Sequence, residues 1–466
     1  MLYDPLNKDT IVALATPEGS GALGLIRISG IGAFSLADKF YVKKNSNKKI
    51  ADLQSHTIHL GRIESNDSIV DEVLLSVFRG PNSYSGEDTI EISCHGSRYI
   101  QQQIIFLALK FGARLANPGE FTLRAFFNKR LDLVQAEAVA DLIGATSATS
   151  HQNAIKQMRG GFSSKLKLLR ENLVNFASLI ELELDFSEED VEFANKGDLK
   201  ILIEKIYKLI IRLIESFELG NVIKNGIQVA IVGRPNAGKS TLLNLLLNEE
   251  RAIVSEIPGT TRDTIEDELS IGGVLFRFID TAGIRETMDT IEQIGVAKTF
   301  EKINSSSIII YLFDIHELTS SGLKQELEKI EKHLSVNSQL LLVGNKIDKE
   351  DINYTEQEFK DFKDIIFVSA KGKLNIEALK HKLIELFDNR TVNMTETVVT
   401  NARHVQALNH AASALERVLD GLENNLSGEL LAVEIKDTLN QLGMITGEVT
   451  NEELLENIFS RFCIGK

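Results

Sequence analysis

The 466-residue chain is longer than one hydrophobic core usually supports, so the sequence predicts several domains. Hydrophobic residues make up 43% and charged residues 25%, a globular composition that argues against disorder, and no apolar stretch is long enough for a membrane span. The net charge of -15 argues against bulk electrostatic coating of nucleic acid, so any RNA contact is expected to be local or shared with a partner.

The first residues and the cysteine count indicate a cytoplasmic protein. Met1 to Thr10 include Asp4 and Asp9 and lack the apolar core of a signal peptide. Only Cys94 and Cys463 are present, which favours a reducing compartment over a disulfide framework.

The amino-terminal part reads as a mixed α/β domain, assigned to residues 1–125. Short β runs broken by Gly-rich turns are predicted at Thr10 to Ala15, Leu23 to Ser29, Val73 to Phe78 and Thr89 to Ser93. From about Phe126 the apolar spacing becomes helical, which predicts the first part of a helical domain at 126–221.

An inserted α/β domain is predicted at 222–389, after the turn Asn225-Gly226. Its apolar strands alternate with helices, as in a parallel, doubly wound sheet; they are predicted at Ile227 to Val232, Val274 to Ile279, Ser307 to Phe313, Leu340 to Val343 and Ile365 to Val368. Helical spacing returns after Thr400, so residues 390–466 are assigned as the second part of the helical domain.

The strongest motif is Gly-Arg-Pro-Asn-Ala-Gly-Lys-Ser at 233–240, between a predicted strand and a predicted helix. This is the strand, loop and helix context of a P-loop, whose glycines let backbone amides face phosphate oxygens. Lys239 is predicted to neutralise β- and γ-phosphate charge, and Ser240 to ligate Mg2+.

Further segments follow in the order of a Ras-like G domain. Asp280-Thr281-Ala282-Gly283 closes a strand, with Asp280 placed to hold the metal through water, and Thr261 fits a switch I threonine. The carboxylate of Asn345-Lys346-Ile347-Asp348 can accept from two guanine donors, and Ser369-Ala370-Lys371 fits the loop that contacts guanine O6. Together these segments favour GTP over ATP.

The group that orients the attacking water is left open by the residues themselves. Ras-like switches carry a Gln after the Asp-x-x-Gly glycine, but this chain has Ile284. Glu286, Asp289 and Glu292 are the candidate acids downstream.

The P-loop with Asn236, the Gly-Thr-Thr-Arg-Asp segment at 259–263, Ile284 and the terminal Phe-Cys-Ile-Gly-Lys together resemble the MnmE (TrmE) family of tRNA modification GTPases. The resemblance implies that Asn236 ligates a potassium ion, with Ser255, Ile257 and Thr260 completing the cage, and that Glu292 is the catalytic acid. It also implies a homodimer in which two G domains meet across their switches. The motifs and the resemblance together predict the nucleotide and ion contacts. These are Asn236, Ala237, Gly238, Lys239, Ser240, Thr241, Ser255, Glu256, Ile257, Pro258, Gly259, Thr260, Thr261, Asp280, Thr281, Ala282, Gly283, Asn345, Lys346, Asp348, Ser369, Ala370 and Lys371.

The same resemblance implies a site for 5-formyl-tetrahydrofolate, or a related one-carbon folate, in the dimer-forming amino-terminal domain. The matching positions are Arg27, Glu91, Arg130 and Lys466. Arg130 stands where the family pattern leads us to expect a lysine, which keeps the charge and changes its geometry. Cys463 matches a cysteine that the family needs for tRNA modification.

Two functions are carried forward. The preferred one is GTP-driven addition of a carboxymethylaminomethyl or aminomethyl group to C5 of the wobble uridine of certain tRNAs, jointly with the FAD-dependent partner MnmG (GidA). The alternative is an RNA-binding ribosome-assembly GTPase. No Gly-x-x-Gly in a basic setting supports the alternative, and a membrane transporter with a GTPase head is opposed by the missing spans.

Overall fold

The computed structural model describes residues 9–44, 48–66, 68–185, 196–250, 267–279, 304, 306–335, 338–349, 357–362, 364–391, 398–424, 426–460 and 462–466. The chain divides into two compact units. One comprises residues 1–143, 154–211 and 406–466, and the other comprises residues 144–153 and 212–405.

The first unit contains a seven-stranded sheet within the described residues. Its strands are β1 (Ile11–Leu14), β2 (Leu23–Ser29), β3 (Tyr41–Lys43), β4 (Thr57–Ser65), β5 (Ser68–Phe78), β6 (Thr89–His95) and β7 (Arg114–Leu115). Their order is β3-β4-β5-β6-β2-β1-β7, and only the β1–β7 pair is parallel.

One face of this sheet is the core of the amino-terminal domain. Along β5, Val73, Leu75 and Val77 are buried and alternate with more exposed residues, because successive side chains of a strand point to opposite faces. They pack with buried residues of β2 and β6 and with helix α2 (Arg98–Lys110), while α1 (Ala33–Ala37) covers the same core. Burying each such aliphatic side chain stabilises the fold by about 1.5–3 kcal/mol.

Helices fill most of the remaining chain before the second sheet. They are α3 (Glu120–Phe127), α4 (Leu133–Ile143), α5 (Ala148–Met158), α6 (Gly161–Asp185) and α7 (Lys196–Asn225). In the first unit, α3 and α4 pack around Leu123, Leu133 and Ala136 together with Phe459 near the carboxyl terminus.

The second unit contains a six-stranded sheet within the described residues. Its strands are β8 (Ile227–Val232), β9 (Asp267–Ile271), β10 (Val274–Phe278), β11 (Ile308–Asp314), β12 (Gln339–Asn345) and β13 (Ile366–Val368). The order is β13-β12-β11-β8-β10-β9, with all pairs parallel except β9–β10. All seven residues of β11 are buried, as expected for a central parallel strand covered on both faces.

Helices follow the strands of this sheet and complete the chain. They are α8 (Lys239–Glu250), α9 (Ser320–Glu331), α10 (Ile376–Thr391), α11 (Ala402–Glu423), α12 (Gly428–Thr446) and α13 (Glu452–Phe459). In the first unit, α12 packs against α6. Among the residues that the structure describes, no helix is both long and apolar enough to cross a membrane.

The predicted fold class is confirmed: a mixed α/β amino-terminal domain, helical segments and a parallel P-loop sheet are all present. The predicted strands appear within one or two residues at most ends, although β5 begins at Ser68 and not at Val73. Strands β3, β4, β7 and β9 were not predicted. The four-part division of the chain stays a prediction.

Candidate functional site

The phosphate loop between β8 and α8 can be built only with glycine at two positions. Gly233 and Gly238 have φ of 148° and 99°, and Asn236 between them also has a positive φ, 60°. A Cβ on Gly233 would lie 2.0 Å from the carbonyl oxygen of Leu312, and one on Gly238 would lie 2.2 Å from Nδ2 of Asn345. The glycines therefore let the loop approach both β11 and the end of β12.

Lys239, at the first turn of α8, is hydrogen-bonded to the backbone of this loop. Its Nζ donates to the carbonyl oxygens of Gly233 and Arg234, each at 2.8 Å. The positive end of the helix and the ammonium group face the same loop, an arrangement that suits a bound phosphate. Ser240 is half-buried in the same turn, next to Lys239.

The side chain of Asn345 ties three loops together. It is 3% exposed at the end of β12. Its Nδ2 donates to the carbonyl oxygen of Ala237 at 2.8 Å, and its Oδ1 accepts from the backbone N–H of Ala370 at 3.0 Å. The phosphate loop and the two predicted base-reading loops are thus held at one edge of the sheet, where open α/β sheets bind ligands.

The predicted base-reading carboxylate is also held in place. The hydroxyl of Ser369 donates to Oδ1 of Asp348 at 2.5 Å and accepts from the N–H of Gly372 at 2.8 Å. Asp348 is exposed, whereas Ser369 is buried. The buried hydroxyl of Ser369 therefore orients the Asp348 carboxylate. Lys371, the last predicted base-loop residue, is exposed.

An ion pair that the sequence did not predict lies beside the base-reading loop. Nζ of Lys346 is 2.5 Å from Oδ2 of Asp314, whose Oδ1 accepts from the N–H of His316 at 3.0 Å. Burial of Asp314 acts to raise its pKa, but the hydrogen bond from Lys346 and that from His316 outweigh it, and the pKa is lowered. A signal was available, because Asp314 is a charge at the end of an otherwise apolar strand.

Many predicted nucleotide and ion contacts lie outside the described residues. These are Ser255, Glu256, Ile257, Pro258, Gly259, Thr260, Thr261, Asp280, Thr281, Ala282, Gly283 and the candidate acids Glu286, Asp289 and Glu292. Of the predicted metal ligands, Asn236 and Ser240 are described. Within the described part of the chain, no cluster of three His, Cys, Asp or Glu side chains could hold a metal.

A second group of predicted residues comes together in the first unit. Nε of Arg27 donates to Oε1 of Glu91 at 2.9 Å, and its Nη1 donates to the carbonyl oxygen of Gly465 at 3.1 Å. The Arg27 guanidinium lies 5.0 Å from the centre of the Tyr84 ring, and Nζ of Lys466 lies 5.8 Å from it. Burial and the charge of Arg27 lower the pKa of Lys466.

Arg130 lies near the same tyrosine. It lines a cavity of about 470 Å³ together with His56, Phe78, Asn82, Ser83 and Tyr84. Two of the four predicted folate residues, Arg27 and Lys466, thus lie beside the Tyr84 ring. Glu91 is paired with Arg27, and Arg130 shares a cavity with that ring. Tyr84 and His56 were not predicted, since neither stands in a recognisable motif.

A buried ion network supports the loop that carries Tyr84. The fully buried Arg124 forms ion pairs with Asp9 (2.6 Å), Glu120 (2.8 Å) and Glu87 (3.0 Å). Glu87 also accepts from the hydroxyl of Ser29 at 3.0 Å. Burial acts to raise the pKa of Glu120, but hydrogen bonds led by that from Arg114 lower it.

The carboxyl-terminal tail lies against the amino-terminal sheet. Gly465 has φ of 97°, and a Cβ there would lie 2.4 Å from the carbonyl oxygen of Leu14. The Phe462 ring packs on Phe459 with their centres 5.3 Å apart. Cys463 is exposed, and its carbonyl oxygen accepts from the N–H of Lys466 at 3.3 Å. The thiol therefore sits on a tail whose backbone is fixed.

Two family models match the chain: one described as GTP-binding protein TrmE N-terminus over residues 10–130, and one described as MnmE helical domain over residues 133–463. The chain is 55% identical to the tRNA modification GTPase MnmE of Flavobacterium johnsoniae, over 99% of this chain and 100% of that one. It is 56% identical to the protein of the same name from Flavobacterium psychrophilum, over 98% and 99% of the two chains.

Among solved structures, the chain is similar to a GTP-binding protein from the archaeon Sulfolobus solfataricus in complex with GDP. The identity is 20%, the TM-score is 0.28, and the match covers 48% of this chain and 68% of that one.

Proposed function

Because the chain belongs to the MnmE family of tRNA modification GTPases, we propose that it couples potassium-stimulated GTP hydrolysis to modification of the wobble uridine. The product is a uridine that carries a carboxymethylaminomethyl or aminomethyl group at C5, formed jointly with the FAD-dependent partner MnmG (GidA). The observation that carries the hydrolytic half is the Asn345 side chain, which joins the phosphate loop to both base-reading loops.

In this proposal the nucleotide lies along the carboxyl edge of the second sheet. Lys239 and the amides of the phosphate loop bind the β- and γ-phosphates, and Ser240 ligates Mg2+. Asp348 accepts from the guanine donors, and the amide of Ala370 or Lys371 contacts guanine O6. A carboxylate held by a buried hydroxyl suits this reading, because its acceptors are already oriented before the base arrives.

Potassium would be held by Asn236 with Ser255, Ile257 and Thr260. Asn236 supports this assignment because it is exposed at the tip of the phosphate loop, with its backbone in the left-handed region. A cation there stands in the position of an arginine finger, a group worth roughly 10³- to 10⁵-fold in rate in other GTPases.

The group around Tyr84 fits a one-carbon folate. Glu91 offers a carboxylate acceptor of the kind that a pterin edge needs, and Arg27, Arg130 and Lys466 offer cations for a glutamate tail. The folate would supply the one-carbon unit. The chain's own residues bind and orient it, and Cys463 on the adjoining tail is proposed as the residue needed for modification.

The outer face of the first sheet supports a homodimer formed through the amino-terminal domain. Leu60 and Leu74 are cross-strand partners and are 44% and 46% exposed, and Ile58 and Leu23 on the same face are 66% and 70% exposed. An apolar row of this kind is typical of a surface that a second chain covers. This face also carries Glu91 and Arg27, so the proposed dimer and folate sites adjoin.

Replacing potassium by sodium tests the hydrolytic proposal. With saturating Mg2+ and GTP at equal ionic strength, we expect hydrolysis to be at least tenfold faster in potassium, because the proposed ligands would favour the larger ion. Asn236→Ala should remove that difference. Equal rates in the two salts for the parent protein would eliminate the potassium assignment.

Nucleoside analysis of tRNA tests the modification proposal. A strain that lacks this protein should lose the modified wobble uridine and regain it when the parent chain is restored. An unaltered nucleoside profile, with ribosomal subunits accumulating as precursors, would instead favour the ribosome-assembly alternative.

A further inference from the structure

The ion pair between Asp314 and Lys346 has no assigned role, and its surroundings indicate one. Asp314 is 6% exposed, and both of its oxygens are engaged, one by Nζ of Lys346 at 2.5 Å and one by the N–H of His316 at 3.0 Å. A carboxylate so deeply placed is costly to keep charged unless it is paired, so the partnership with Lys346 is a strong one.

The two residues meet because β11 and β12 end together. Asp314 and Asn345 are paired in the parallel register, and each is the last residue of its strand. Lys346 therefore leaves β12 directly beside Asp314, and its φ of 77° is a left-handed conformation that non-glycine residues seldom adopt. The carbonyl oxygen of Lys346 also lies 3.3 Å from Nε2 of His316.

This arrangement fixes the lysine at both of its ends. Its Cα is set by the turn, and its ammonium group by Asp314, so the four-carbon stem can follow few paths. Lysine stems are apolar and readily cover flat apolar surfaces. Lys346 stands between Asn345, which ties the loops together, and Asp348, the proposed base acceptor, so its stem is placed at the edge of the proposed base pocket.

We propose that Asp314 is a positioning residue for guanine-nucleotide binding, and that it holds the stem of Lys346 as a preformed wall for the base. The inference rests on the guanine pocket of the proposed function and adds Asp314 to it. If Lys346 is already ordered in the free protein, nucleotide binding does not have to meet the entropy cost of ordering its side chain. Asp314 therefore strengthens binding without contacting the nucleotide.

The test is a calorimetric titration with GDP of Asp314→Asn. Asparagine keeps the shape and still accepts from His316, but it cannot hold the ammonium group by charge. We expect the Kd for GDP to rise about tenfold, about 1.4 kcal/mol, and KM for GTP to rise similarly while kcat changes less than about twofold. An unchanged Kd would overturn the proposal.

A double-mutant comparison separates positioning from general support of the fold. Lys346→Met should raise the Kd for GDP by a similar factor, and adding Asp314→Asn to it should change the Kd by less than about twofold. Full additivity of the two losses would overturn the proposal. The matched control is Glu385→Gln, which neutralises an exposed acid 3.1 Å from Lys382 in the same unit and should leave the Kd unchanged.

Two further measurements keep the result decisive. If Asp314→Asn does not fold, as judged by its thermal unfolding, Lys346→Met alone decides, since a Kd within twofold of the parent overturns the proposal and a tenfold rise supports it. Asp348→Asn is titrated in parallel. Loss of GDP binding in that variant but not in Asp314→Asn defeats this inference only, whereas normal binding in Asp348→Asn defeats the guanine pocket itself.

Discussion

The nucleotide site and the group around Tyr84 are built in different ways. In the nucleotide site, each loop follows the strand that aims it, and one asparagine joins residues 108 and 25 positions away along the chain. Around Tyr84, the Arg27 side chain meets Glu91, 64 residues away, and the carbonyl of Gly465, 438 residues away. One site depends on a single sheet edge, and the other depends on the two ends of the chain meeting.

This difference has consequences for how each site fails. A loop at the end of a strand keeps its place as long as the sheet is intact, so changes there should alter ligand binding and rate more than folding. The Tyr84 group has no single scaffold. It relies on the buried ion network around Arg124 and on the carboxyl-terminal tail, so changes in these supports should affect stability and assembly first.

The largest expected effect is on stability, from Arg124→Met. Removing one partner of a buried ion pair typically costs about 3–5 kcal/mol, and Arg124→Met leaves the Glu120 carboxylate buried without that partner. Chemical unfolding should show a weakened transition for the amino-terminal unit and little change in nucleotide binding. Arg114→Met is the matched control, since Arg114 contacts the same Glu120 but is 39% exposed and should cost less. Equal stability of the Arg124 variant and the parent would contradict the comparison.

The next largest effect is on turnover, from Glu292→Ala. Glu292 lies outside the described residues and is assigned through the family resemblance. A group that orients water acts in the transition state, so we expect kcat to fall about 10²- to 10³-fold while GTP affinity stays near normal. Stopped-flow binding and steady-state hydrolysis measure the two quantities. Glu286→Ala and Asp289→Ala are the controls, and either one showing this pattern in place of Glu292 would move the assignment.

A smaller effect is expected on affinity, from Asp348→Asn. The change removes one carboxylate oxygen acceptor and leaves guanine donors unsatisfied in a site built to bind them, which should weaken GTP binding roughly 10- to 100-fold. The same variant should bind xanthosine nucleotides better than the parent does. Folding should be unaffected, because Asp348 is exposed and only Ser369 beneath it is buried. Competitive titration with both nucleotides measures the preference for guanosine over xanthosine nucleotides. An unchanged preference in Asp348→Asn would contradict the assignment.

The same contrast explains what the sequence could and could not predict. The parallel sheet, the phosphate loop and the base loops follow from apolar runs ended by short motifs, so strand and site were predicted together. Asp314 was missed because its meaning depends on the register that sets it beside Asn345. Tyr84 and Arg124 were missed because their roles depend on contacts between distant segments, and no local spacing encodes those contacts. Strand β4 was missed because its apolar residues change face: Ile58 and Leu60 lie on the exposed face, whereas Ile63 lies on the buried one.

The smallest effect on hydrolysis, and the sharpest separation of the two regions, is expected from Cys463→Ser. The described phosphate and base loops lie within residues 233–371, so nothing in hydrolysis calls for a thiol on the tail. The Cys463 side chain is exposed and its backbone carbonyl makes the hydrogen bond to Lys466, so serine should leave the fold intact. A thiolate is a good nucleophile at neutral pH and a serine hydroxyl is not, so a step that needs sulfur should stop.

We therefore expect potassium-stimulated hydrolysis within twofold of the parent and no modified wobble uridine in complemented cells. Full modification would show that the thiol is dispensable, and loss of both activities would show that the tail supports the whole protein.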